Sequence, residues 1–107
     1  MKRNTEKMKL VRDRIPEIIQ KSGKIPEYEV ITDERVFENL LNQKLTEEVK
    51  EYLASGNIEE ICDILEVLYA IMDIKKWDAG YVEDKRREKA QLTGSFERRV
   101  LLKKVWE

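Results

Sequence analysis

The chain has no histidine, one cysteine, two prolines and four glycines among its 107 residues. Without histidine there is no imidazole general base, no imidazole partner for a serine or cysteine nucleophile, and no imidazole ligand for zinc or for a Glu-x-x-His di-iron bundle. Any catalysis has to use carboxylates, lysine, arginine, tyrosine, the thiol or a metal-bound water. The single cysteine, Cys62, excludes an intrachain disulfide and reads as a small buried apolar residue. No apolar run reaches membrane-spanning length and no signal-like segment opens the chain. The expectation is therefore a cytoplasmic protein without a membrane partner. A net charge of −1 calls for no polyanionic partner. The aromatics are not interleaved with basic residues as base-stacking platforms would be, so no stable nucleic-acid binding is expected.

What is present points to helices. Hydrophobic residues make up 41% and charged residues 40%, with little to punctuate them, as in a helix-rich folded chain. At this length one domain, 1–107, is expected. Residues 1–8 read as a loose, polar and basic lead. A short helix follows within 9–23, with Asp13 as candidate N-cap, Pro16 in the first turn and Gly23 as the stop. Residues 24–31 read as extended, and Tyr28, Val30 and Ile31 suit a short strand. Thr32 or Asp33 then caps a long helix to about Ala54, its buried face marked by Val36, Leu40, Leu41, Leu45, Val49, Tyr52 and Leu53. The next helix, about Ile58 to Ile74, is apolar round most of its circumference and belongs in the middle of a bundle. Residues 75–80 form a connection. A basic helix from about Tyr81 to Leu92 ends at Thr93-Gly94-Ser95. The tail, with Val100, Leu101, Leu102 and Val105, suits a strand or a docking arm. The fold class is all-α, about four helices in a bundle, with a short β pairing of terminal segments as a minor addition. Helices this apolar in so small a chain need further cover, so a homo-oligomer, dimer or tetramer, is expected.

The stretch 44–66 organises the rest. Two helices meet at Ser55-Gly56-Asn57, where Gly56 can take the left-handed conformation that closes a helix. Asn57 is placed to cap the next helix, and Glu60 to complete a capping box. Glu48 and Glu51 share one face of the first helix at i,i+3, and Glu60 and Asp63 share one face of the second. In an antiparallel hairpin Glu51 faces Glu60 at one level and Glu48 faces Asp63 at the next, about 5 Å along the axis. Four carboxylates so close repel unless a positive charge lies among them. Converging oxygen ligands suit a hard divalent cation, Mg²⁺ or Mn²⁺. The plainer reading, ordinary solvated carboxylates, is outweighed because the two pairs share a register and one lies on an apolar helix. Glu47 can ligate, position a water or be solvated, with a supporting role favoured, and Glu66 reads as an outer residue or a solvated one. Glu59 belongs to the first turn, beside the positive end of the helix dipole.

Charge is segregated along the chain. Positions 44–66 carry seven acidic and two basic residues, whereas 85–104 carry eight basic and two acidic. An acidic metal centre with a basic arm suits a polyphosphate, although most of the cluster Lys85, Arg86, Arg87 and Lys89 also reads as a solvated helix face.

These motifs resemble those of the MazG-like nucleoside triphosphate pyrophosphohydrolases, in the all-α pyrophosphatase group that includes phosphoribosyl-ATP pyrophosphohydrolases. The signature Glu-x-x-Glu then Glu-x-x-Asp stands here as Glu48-x-x-Glu51 and Glu60-x-x-Asp63. The opening Lys-Leu-Val-Arg-Asp-x-Ile-Pro-Glu-Ile-Ile of a small branch stands at 9–19. The resemblance implies Mg²⁺-dependent hydrolysis of a nucleotide substrate between its α and β phosphates, giving a nucleoside monophosphate and pyrophosphate. It makes Glu48, Glu51, Glu60 and Asp63 the metal ligands; with no histidine in the chain, Glu47 or a ligand carboxylate such as Glu48 or Glu51 is the expected catalytic acceptor of the water's proton. It makes Arg12, Lys85, Lys89 and Arg98 candidates for phosphate contacts. The chain departs from the branch at Thr93-Gly94-Ser95-Phe96, where an arginine before two glycines is the pattern. Phosphoribosyl-ATP hydrolysis and a non-catalytic helical interaction module are the alternatives.

Overall fold

The structure, a computed structural model, describes residues 8–107. The loose lead expected at 1–8 falls outside them except for Met8. Among the described residues four helices make the fold all-α: α1 (Ile15–Lys21), α2 (Glu34–Ser55), α3 (Ile58–Lys75) and α4 (Ala79–Thr93). The described residues divide into two compact units, one ending at Lys76 and the other Trp77–Glu107.

In the first unit, α1 begins one residue later than Asp13 suggests. Ile15 N–H bonds the Arg12 carbonyl at 3.0 Å, and this turn carries the chain on so that Arg14 takes the N-cap, without a side-chain bond. Pro16 sits in the first turn, where its missing N–H costs nothing. At the other end Gly23 has φ +90°. Its N–H bonds the Gln20 carbonyl at 3.0 Å and the Lys24 N–H bonds Ile19 at 3.3 Å, a full Schellman closure. Residues 24–33 have no helix or strand and pair with no other described segment. The strand expected at Tyr28, Val30 and Ile31 is not formed, because no second segment among the described residues offers it a ladder.

Asp33 caps α2 by accepting from the Arg35 and Val36 N–H groups at 2.9 and 3.2 Å. Leu41, Leu45, Glu48 and Tyr52 recur at i+4 and i+3 on the covered face of α2. Glu60, Ile64, Val67 and Ile71 do the same on α3, and these two stripes pack the hairpin. The core is narrow: Leu41 is 3% exposed and Val67 8%. Val36, Val49 and Leu53, assigned to the buried face of α2, are exposed. The expectation that α3 is surrounded also fails within the described residues. It meets α2 along one side, and Ile58, Ile61, Cys62, Leu65 and Tyr69 stand exposed on the other. Cys62 is thus exposed and not buried. An ion pair between Lys75 and Glu38 joins the far end of the hairpin.

The second unit holds α4, which starts two residues before the expected Tyr81. Asp78 caps it by accepting from Gly80 N–H at 3.0 Å, so Gly80 lies in the first turn and not in a connection. Gly94, at φ +86°, ends it, its N–H on the Ala90 carbonyl at 2.7 Å. The tail has one turn, closed by Arg99 N–H on the Phe96 carbonyl at 3.2 Å, and otherwise no regular structure. Among the described residues there is no strand, so the β pairing of terminal segments does not form there. No helix among them is long and apolar enough to cross a membrane.

Candidate metal centre

The hairpin turn places the acidic residues. Gly56 takes φ +68° and its N–H closes α2 on the Tyr52 carbonyl at 2.7 Å. The Asn57 side chain makes no cap bond and the expected capping box is not formed. Ser55 mediates instead. Its hydroxyl accepts from Asn57 N–H at 3.2 Å and donates to Glu60 Oε1 at 3.4 Å. A short hydroxyl at the end of α2 thus reaches the N–H that the Glu60 carboxylate would otherwise have taken, and it draws that carboxylate toward the turn.

Two triads of carboxylates result. One oxygen from each of Glu47, Glu48 and Glu51 lies within 4.8 Å of the others, and the same holds for Glu48, Glu60 and Asp63. The expected facing of Glu48 with Asp63 is realised across the hairpin. Glu51 and Glu60 fall in different triads, and Glu48 alone belongs to both. Glu51 is exposed, while Glu47, Glu60 and Asp63 are half-buried. Glu48 is 5% exposed, and its Oε2 is fully buried with no hydrogen-bond partner. Glu59 and Glu66 are exposed.

Basic side chains partly offset this charge. Lys44 Nζ lies 3.2 Å from Glu48 and 3.6 Å from Glu47, one turn along the same helix. Lys9 Nζ lies 3.6 Å from the other oxygen of Glu47. Arg12 donates to Asp63 Oδ1 at 2.7 Å, a bond that spans from the segment before α1 to α3. Even so, burial pushes the Glu48 carboxyl up from its ordinary value of 4.5, with neighbouring Glu51 adding to the rise and Lys44 opposing it.

The other candidate phosphate contacts lie in the second unit. Lys85 sits 4.0 Å from Glu88 and over the Tyr81 ring, Lys89 is exposed on α4, and Arg98 is exposed in the turn 96–99. Arg86 and Arg87 both bond Glu83. The Arg86 guanidinium holds the Glu83 carboxyl below its ordinary range. Much of this basic run is therefore a solvated, self-paired helix face.

No family model, no curated protein and no solved structure matches the chain. The site's own chemistry therefore carries the reading. An all-oxygen donor set with one buried, unpartnered carboxylate oxygen at its centre fits a hard divalent cation. Sequence reasoning gave Lys44 and Lys9 no role. The i,i+3 and i,i+4 spacing of Lys44 to Glu47 and Glu48 was a usable signal, whereas the approach of Lys9 depends on the path of residues 8–12.

Proposed function

We propose that this chain is a Mg²⁺-dependent nucleoside triphosphate pyrophosphohydrolase of MazG-like type, acting on the cytoplasmic nucleotide pool. The observation that carries the reading is the buried Glu48 Oε2. Leaving such an oxygen unsatisfied costs about 1–3 kcal/mol, and a cation shared by the surrounding carboxylates removes that cost. Glu48, Glu51, Glu60 and Asp63 would hold Mg²⁺, or Mn²⁺ in its place. A bound divalent cation supplies Lewis acidity toward the phosphate oxygens.

The residues of the chain do the rest. Glu47 is half-buried at the edge of the cluster, where it can take the proton of the attacking water. The water oxygen bonds to the α phosphorus, the bond from that phosphorus to the oxygen bridging to the β phosphate breaks, and pyrophosphate leaves with the charge. Arg12, now on Asp63 at 2.7 Å, would be freed by a cation taking that carboxylate's charge and would then hold a phosphate oxygen. The exposed apolar side of α3, with Leu53 beyond the turn, supports self-association as a dimer or larger, because burying it removes apolar surface from water.

The test is pyrophosphate release from a panel of nucleoside triphosphates, with phosphoribosyl-ATP included, for wild type and Glu51→Gln, with and without Mg²⁺. Release that needs both Mg²⁺ and Glu51 supports the reading and ranks substrates. No release from any of them refutes it and leaves a non-catalytic helical module.

A further inference from the structure

Beside the acidic cluster an open groove of about 580 Å³ runs between residues 8–10 and α2. Leu10 and Leu40 form part of its wall, and among the described residues Lys9, Lys44 and Lys50 supply three ammonium groups and Glu47 the one carboxylate of the lining. Lys44 and Lys50 lie on one helix, ~9 Å apart along its axis, and Lys9 approaches from the segment opposite. Glu47 belongs both to this groove and to a carboxylate triad, so a ligand lying in the groove ends at the metal centre. Lys44 is the junction, since it lines the groove while its ammonium rests on Glu48 and Glu47.

We infer that this groove is a subsite for a linear polyphosphate, the triphosphate tail of a nucleotide, held by Lys9, Lys44 and Lys50. The surplus of positive charge favours an anion, and ammonium groups on both walls suit a chain of phosphates better than a single carboxylate. Cation and anion then bind in support of each other. A divalent cation on Glu48 would take the charge that now holds Lys44, freeing its ammonium for a phosphate oxygen beside Lys9 and Lys50. The inference extends the pyrophosphohydrolase reading and rests on it for the identity of the ligand, but not for the groove or its charge.

The experiment is calorimetric titration of the full chain with sodium tripolyphosphate at low ionic strength, in EDTA and in Mg²⁺, with amide chemical shifts recorded alongside. Lys9→Gln and Lys50→Gln are compared with wild type, and each is also titrated with Mn²⁺ alone. Tripolyphosphate should shift amides around 8–10 and 40–50. Each substitution should weaken its binding roughly tenfold, the loss of one charge-assisted hydrogen bond at a partly exposed site, without lowering Mn²⁺ affinity. Absence of tripolyphosphate binding by wild type overturns the subsite. So does binding that both variants keep within about twofold, or shifts confined to α4. Failure of Mn²⁺ to bind wild type, with lysine-dependent tripolyphosphate binding intact, refutes the metal reading and leaves the anion subsite standing.

Discussion

Replacing Glu48 by glutamine should make the cation-free protein more stable while removing its response to a divalent cation. In wild type the buried Glu48 carboxylate has Lys44 on one oxygen and nothing on the other, with Glu51, Glu60 and Asp63 close by. Glutamine keeps an oxygen toward Lys44 and turns an amide donor toward those carboxylates, replacing a repelled, unpaired oxygen with a paired group. The expected gain at neutral pH in EDTA is about 1 kcal/mol, or ~4–8 °C in melting temperature for a domain of this size. The gain depends on pH with a definite sign. Because the folded-state pKa of Glu48 is raised, the native state binds the extra proton. The contribution of Glu48 to wild-type stability is then fully kept below about 4.5 and is lost as pH rises through the higher folded value. Glutamine does not titrate, so its advantage should open across that window and vanish below it. Mn²⁺ at a hundred times its dissociation constant should add about 2.7 kcal/mol to wild type and much less to the variant, reversing their order. Thermal unfolding followed by circular dichroism between pH 4 and 8, in EDTA and in Mn²⁺, measures all of this. A variant less stable than wild type in EDTA at pH 7, or an equal Mn²⁺ shift in both proteins, refutes the reasoning.

Other substitutions probe the surroundings. Arg12→Met removes an exposed ion pair, so stability should move by no more than about 0.5 kcal/mol. Mn²⁺ affinity should rise because Asp63 is freed, and a calorimetric titration showing weaker binding would contradict this. Asp63→Asn should abolish Mg²⁺-dependent pyrophosphate release with an unchanged helical spectrum; retained turnover removes the proposed site. Gly56→Ala places a Cβ in open space but in the left-handed region, so a purely conformational loss of about 1 kcal/mol is expected in denaturant unfolding. No loss would mean that the turn is not held as described.

Local signals placed the helices because they depend on nearest neighbours. Asp33 before a polar first turn, Gly56 between two apolar-periodic runs and Gly23 after Lys21 each act within a few residues. The same locality explains the register of Glu48 against Asp63, which follows from the short turn alone. Tertiary choices escaped. Whether Ser55 or Asn57 satisfies the start of α3 is decided by which oxygen gets there first, and both are good capping residues. That Glu48, and not Glu60 or Asp63, is the buried centre depends on which stripe of α2 meets α3. The approach of Lys9 and Arg12 to the carboxylates depends on how the chain before α1 is laid down, and no periodicity encodes that. For α3, composition foretold burial all round, but one neighbouring helix covers only one side.

The position of Cys62 has a practical consequence. It is the sole thiol in the chain, and it stands free on the side of α3 that α2 leaves open, among Ile58, Ile61 and Leu65. A thiol-specific dye therefore reports on that face with no background from elsewhere. If the chain stands alone, the labelling rate constant is independent of protein concentration. If a second molecule lies against the face, labelling slows as the protein is concentrated, and the concentration at half-protection reads the strength of that association directly.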